Sequence, residues 1–345
     1  MRLLYITTIG GTMTFFKAII KELIDEGHIV DIATNENSSM VPDCYRKWGC
    51  KVFSISTSRS PFSLGNIKAI NEIRKIAKSY DIVHCHTPLA GMATRLACIP
   101  LRKNGTKVIY TAHGFHFYTG APLKNWLIYY PVEWVCSHWT DVLITINKED
   151  FERAKKHMHA KRVEYVPGVG IDISKYKNTI VNMQEKRQEI GVPLDAFMVL
   201  SVGELNENKN HISVIKAIKG IANNNIHYVI VGTGNLKSLL DINDNVHLLG
   251  RREDCNELYK VCDLYIHPSY REGLPVALME AIASGARCIA SKVRGCEDLL
   301  DEGLFYPSDV NGIIDLIINP PKGGVLNSRF SINNVNKAIK KIYAI

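Results

Sequence analysis

The chain of 345 residues has no apolar run near the roughly 18 residues that a bilayer-spanning helix needs. Its start, Met1-Arg2-Leu3-Leu4-Tyr5-Ile6, is interrupted by Gly10-Gly11 too early for a signal peptide and reads as a first buried strand. The nine cysteines are scattered through apolar segments and form no C-x-x-C pair, so reduced core thiols are expected and a disulfide framework is not. No complete G-x-G-x-x-G occurs: Gly10-Gly11-Thr12 and Gly232-Thr233-Gly234 each fall short of it, which disfavours a nicotinamide-dependent oxidoreductase. Metal-ligand spacing is also missing. His84 and His86 fall on one side of a strand, but no third ligand is evident, and no metal is expected.

What is present describes a globular protein of two ordinary domains, with 46% hydrophobic and 22% charged residues. The net charge of +8 is unevenly placed: residues 1–165 hold 22 Lys/Arg against 14 Asp/Glu, while the remainder balances. Such asymmetry suggests an anionic partner for the first half, against the alternative of a merely solvated basic face. Nucleic acid is disfavoured because no recognition motif accompanies the charge. An anionic membrane surface stays open.

The first half alternates strand-like and helical patterns. Strands are expected at 3–7, 29–33, 51–55, 82–86, 107–112, 142–146 and 163–166, and Phe15, Phe16, Ile19, Ile20, Leu23 and Ile24 form one helical apolar face closed by Gly27. A parallel sheet wrapped by helices follows, with ligand-binding loops at the carboxyl ends of the strands. Pro167-Gly168-Val169-Gly170 breaks the pattern, and a second Rossmann-like unit begins with strands at 197–202, 228–231, 246–248, 264–267 and 287–290. The expected domains are 1–167 and 168–330, followed by a one-faced helix over 331–345.

The most informative stretch is Glu272-Gly273-Leu274-Pro275-Val276-Ala277-Leu278-Met279-Glu280, which follows a strand and opens a helix at Pro275. Amides near Gly273 and Leu274 are expected to favour an anion, and two fixed carboxylates suit a hydroxyl-rich, phosphorylated ligand. Two glutamates flanking a helix start are also common on solvated surfaces. The surrounding run of Pro268-Ser269, Glu280-Ala281 and Ser284-Gly285 resembles the E-x7-E region of the family 4 retaining glycosyltransferases.

The resemblance implies an α/β GT-B fold, two Rossmann-like domains facing each other across a cleft, with the last helix crossing back to the first domain. It implies that Glu272 lies beside the donor sugar and that Glu280 holds the ribose hydroxyls. Gly10 and Gly11 match a glycine loop facing the donor, and His113, in Thr111-Ala112-His113-Gly114, matches a residue at the donor sugar. A His at a strand end also carries or takes a proton near neutral pH; a packed loop histidine is the alternative. His86 and His116 are placed on the acceptor side.

In Gly203-Glu204-Leu205-Asn206-Glu207-Asn208-Lys209 the diphosphate-binding lysine is present, but Glu204 stands where the family carries Arg. Lys209 then acts alone with the helix dipole, or with Arg251 or Arg252. No metal or cofactor is implied, and the UDP-sugar is a substrate. Residues 115–139 hold eight of the 29 aromatic residues, including Trp126, Trp134 and Trp139, which suits a membrane interface or an ordinary core helix.

The expected activity is transfer of an N-acetylhexosamine from a UDP-sugar to a polyprenyl-diphosphate-linked saccharide in bacterial glycan assembly. The enzyme is expected in the cytoplasm, peripheral on the inner face of the plasma membrane. A sugar-nucleotide 2-epimerase of similar fold and a non-catalytic nucleotide-sugar binding module are the rival readings.

Overall fold

The computed structural model describes residues 1–58, 60, 63–235 and 244–344. The chain forms two compact units, Met1–Val169 with Val335–Ile345, and Gly170–Asn334.

The first unit holds seven parallel strands among the described residues: β1 Arg2–Ile9, β2 Ile29–Asn35, β3 Val52–Ser54, β4 Ile82–His86, β5 Lys107–Ala112, β6 Val142–Thr145 and β7 Arg162–Tyr165, in the order β3-β2-β1-β4-β5-β6-β7. The second holds β8 Phe197–Val202, β9 Ile226–Val231, β10 Val246–Gly250, β11 Leu264–His267, β12 Cys288–Ser291 and β13 Leu304–Phe305, in the order β10-β9-β8-β11-β12-β13. At two residues, β13 is too short to show any periodicity in the sequence. Inner strands such as Val83 and Ile109 are buried on both faces because helices cover each side of a parallel sheet. Alternation then divides the first core in two: Leu4, Ile6, Val83 and Cys85 pack on one side, Leu3, Tyr5, Ile32 and Ile82 on the other.

The second of these cores is completed by the last helix, Ile332–Tyr343, through Val335, Ile339, Ile342 and Tyr343. Tyr343 Oη lies 2.6 Å from Tyr5 Oη, and Lys340 pairs with Glu22 and Glu26.

One expectation about helices is corrected. Gly10–Phe16 is a 3-10 helix, and the α-helix begins only at Lys17. With three residues per turn, Gly10, Met13 and Phe16 share the buried face, so Phe15 is turned out and 54% exposed. The aromatic helix, for which the sequence leaves a membrane interface and a core helix both open, spans Leu123–Ser137. It is apolar on both faces. Trp126 faces inward, tilted against Phe117 and Tyr130 and beneath the Arg153 guanidinium, whereas Leu127, Ile128, Val132, Trp134 and Val135 are exposed. Buried charge anchors it: Arg95 Nη1 donates to Glu133 Oε2 at 2.8 Å, Tyr110 Oη donates to Glu133 Oε1 at 3.1 Å, and the Arg95 guanidinium lies 4.1 Å from the Tyr110 ring centroid.

Candidate active site

Strand order reverses between β1 and β4 in the first sheet and between β8 and β11 in the second, and crevices at the carboxyl ends of such strands bind ligands in open α/β sheets. In the second unit, the turn after β8 lies against the turn after β9. A Cβ on Gly232 would fall 1.8 Å from the Gly203 carbonyl, so only glycine permits this approach. Asn206 caps the short turn Glu207–Lys209, and the Lys209 stem runs alongside Gly203. Asn210 Nδ2 donates to the carbonyls of Pro268 and Pro307, tying this turn to the one after β11. Lys209 and Glu272, 63 residues apart, are thereby joined: Nζ donates to Glu272 Oε1 at 2.6 Å.

The same oxygen accepts from His267 Nε2 at 2.8 Å. Burial pushes the Glu272 carboxyl up, but His267 and Lys209 outweigh it and hold the group well below the usual range. Glu272 is therefore an ionised, nearly buried carboxylate whose second oxygen carries neither of these bonds. Its own carbonyl accepts from Arg294 Nε at 2.9 Å.

Glu280 lies elsewhere on the helix Val276–Ser284 and takes no part in this pairing. Its carboxylate accepts from Tyr176 Oη at 2.6 Å and from Tyr259 Oη at 3.0 Å, one on each oxygen. Burial pushes its pKa up, against the two tyrosines. The helix starts one residue later than expected, with extended Pro275 as its N-cap. Its unpaired first-turn amides are accordingly those of Val276, Ala277 and Leu278; Gly273 and Leu274 belong to the preceding turn. Glu204 is exposed and bonded by Asn206. Arg252 is engaged by Glu189 and Asp254, and Arg251 is exposed.

In the first unit, Thr87 follows β4 with φ 67°, an uncommon conformation for a β-branched residue. Its hydroxyl lies 2.6 Å from that of Thr8, bridging the ends of β1 and β4. Thr8, Thr12, Thr87, Leu89, His116 and Tyr129 line a largely apolar cavity of about 230 Å³, with His116 stacked on Tyr129 at 4.4 Å. His116 thus lines an accessible cavity.

His86 does not reach it. As an inward residue of a central strand it is 1% exposed, tilted against Phe16, with Nδ1 3.2 Å from His113 Nε2. It lines, with Phe16, Thr111 and His113, a separate small pocket of the first unit. His113 is half-buried at the end of β5, and burial pushes its pKa down to about 4. It is thus held neutral near pH 7, a state in which the ring can both donate and accept a hydrogen bond. The Gly10 amide is already engaged by the Ser39 carbonyl at 3.0 Å, and a Cβ there would fall 2.3 Å from that oxygen. Close backbone packing requires glycine at this position. His84 uses both ring nitrogens, on Tyr343 Oη and Thr111 Oγ1. Among the described residues no group of three or more His, Cys, Asp or Glu is placed to hold a metal ion.

Sequence reasoning passed over His267, Arg294, Tyr176 and Tyr259. His267 ends a strand as His113 does, and the same argument would have found it. Tyr176 is 104 residues from its partner Glu280, and nothing local marks it.

Similarity to known proteins extends over both units. Residues 2–147 match the family model described as glycosyl transferase 4-like, and residues 182–339 match glycosyl transferases group 1. The putative glycosyltransferase EpsD of Bacillus subtilis is 38% identical over 73% of this chain and 69% of its own. The UDP-Gal:alpha-D-GlcNAc-diphosphoundecaprenol alpha-1,3-galactosyltransferase of Escherichia coli is 30% identical over 76% of this chain and 72% of its own. Among solved structures, Anabaena HepE in complex with UDP superposes with a TM-score of 0.80 at 20% identity, covering 100% of both chains. With sequence and fold in agreement along both units, the chain belongs to the group 1, family 4 glycosyltransferases of GT-B fold.

Proposed function

We propose that this enzyme moves an N-acetylhexosamine, with retention of configuration, from a UDP-sugar to a polyprenyl-diphosphate-linked saccharide. The observation that carries the reading is the ionised Glu272 carboxylate, paired with Lys209 at the point where the second sheet reverses order. In this reading the second oxygen of Glu272 accepts a donor-sugar hydroxyl, Lys209 binds the diphosphate, and Glu280 accepts from the ribose hydroxyls. Gly273 and Leu274 shape the turn beside the phosphates. Neutral His113 hydrogen-bonds a sugar hydroxyl and leaves the proton transfer to the departing diphosphate. The enzyme then acts by orienting substrates and holding charge.

Features of the first unit support the acceptor reading. The apolar cavity at Thr87 and His116 suits a lipid-linked head group, and the galactosyltransferase relative is named for an acceptor on diphosphoundecaprenol. The exposed face of the helix Leu123–Ser137, on the half that carries the whole +8, suits docking on an anionic bilayer. Among the described residues no helix is long and apolar enough to cross a membrane.

The test is a screen of UDP-N-acetylhexosamines and UDP-hexoses with lipid-linked acceptors, read by product mass and by the anomeric configuration of the new bond. A product gaining one N-acetylhexosamine with retained configuration is expected. Transfer of an unmodified hexose alone would overturn the donor assignment, inversion the stereochemical one, and turnover without acceptor the transferase reading itself.

A further inference from the structure

Two groups compete for one oxygen of Glu272, and they differ in freedom. Lys209 is a partly exposed residue on a flexible stem, its side chain 22% accessible. His267 is 2% exposed, at the end of β11, with Tyr265 Oη 3.1 Å from its Nδ1 and Ser269 Oγ 3.3 Å from its Nε2. The Glu272 carboxylate has no proton to give, so Nε2 must carry one, and Nδ1 is then the acceptor facing Tyr265.

An incoming diphosphate competes with Glu272 for Lys209. When the ammonium swings to it, Glu272 keeps its buried charge and retains His267. A nearly buried carboxylate left without its cation is costly, and the nearest group able to become one is the imidazole already bonded to it.

We propose that His267 is a positioning residue of the donor site, which holds Glu272 in register and takes up a proton when Lys209 transfers to the donor diphosphate. The proton comes from solvent to Nδ1. Nε2–H continues to donate to Glu272, and the Tyr265 hydroxyl turns to accept from Nδ1–H. Before the donor arrives, His267 is neutral: burial pushes its pKa down, Glu272 opposes this, and Lys209 adds to it. Departure of Lys209 and arrival of a polyanion both act in the other direction. Of the other titratable neighbours, Tyr265 stays protonated because burial raises its pKa well above the ordinary value, and His211 is neutral in this range because burial pushes its pKa down to about 4, so it adds no like charge. This rests on the reading of Lys209 as a diphosphate ligand.

The experiment is calorimetric titration of the full chain with UDP, and with uridine as control, between pH 6 and 8 in buffers of different ionisation heat. Wild type is compared with His267→Gln, whose amide donates from the position of Nε2 but does not titrate, and with His267→Phe. Wild type is expected to take up more protons per UDP than the Gln variant, by up to about one. Titration of UDP itself cancels in that difference. The Gln variant should keep the affinity within a fewfold at pH 8. The Phe variant should lose roughly ten- to a hundredfold, the size of a hydrogen bond to a charged group. Equal proton uptake by wild type and the Gln variant, or unchanged UDP affinity in the Phe variant, would overturn the role of His267. If wild type binds UDP no better than uridine, the reading of Lys209 is wrong and the inference falls with it.

Discussion

At the scale of single residues, the proposed donor half-site is built on carboxylates whose neighbours decide what they do. Glu272 and Glu280 are eight residues apart and have opposite electrostatics: one is held ionised by a lysine and a histidine, the other is pushed up by burial and steadied by two tyrosines. Each Glu280 oxygen accepts one tyrosine hydroxyl and retains a lone-pair direction for ribose. Glu280→Ala should therefore weaken UDP binding by about 1.5–3 kcal/mol, a hydrogen bond to a charged group. Tyr176→Phe should weaken it less, because the hydroxyl only steers the carboxylate. Calorimetry with UDP and its 3′-deoxy analogue separates the two: the deoxy analogue should feel the Glu280→Ala change least. Lys209→Ala should reduce affinity for UDP and spare uridine; equal losses would remove Lys209 from the phosphate site.

At the scale of elements, the helix Leu123–Ser137 has one face in the core and an apolar face in water. Only the outer face is available for a membrane. Replacing Leu127 and Val135 by Glu should lower binding to anionic liposomes and activity on a lipid-linked acceptor, while a short-chain soluble acceptor and the melting temperature are unaffected. Equal loss on both acceptors would place these residues in the enzyme's own chemistry or packing. Trp126→Ala should instead destabilise, by about 1–3 kcal/mol, because this partly buried ring packs against the core. Glu133→Ala should cost more, about 3–5 kcal/mol, because it strands the fully buried Arg95 guanidinium. Chemical denaturation measures both.

At the scale of the whole molecule, several buried histidines stay neutral. Burial pushes His84 down to about 3 and His211 to about 4. The unfolded chain protonates these groups near pH 6.5 while the folded chain does not, so stability falls as pH drops below about 6.5 and levels off only below the folded values. Near pH 5 each group should have cost about 2 kcal/mol relative to pH 7. Urea midpoints at the two pH values test this, and His211→Gln should reduce the difference.

Alternation of apolar strands and helices was enough to show two parallel-sheet units, because burial on both faces imposes a pattern that local sequence carries. Strands such as Ile82–His86, Lys107–Ala112 and Leu264–His267 appear where that pattern predicts them. The spacing of Glu272 and Glu280 was equally local, being set by one turn and one helix. The pairings were not. Lys209 with Glu272, His86 with His113 and Tyr176 with Glu280 join residues 27 to 104 positions apart, brought together by strand order and by the small turns between strands. Protonation was likewise undecided until burial was known, since imidazole and carboxyl groups titrate according to what surrounds them. Sequence alone therefore determined the architecture and the residue types of the site. Tertiary structure decided which side chains touch, which face of the aromatic helix meets water, and which groups carry charge, because those depend on neighbours that only folding supplies.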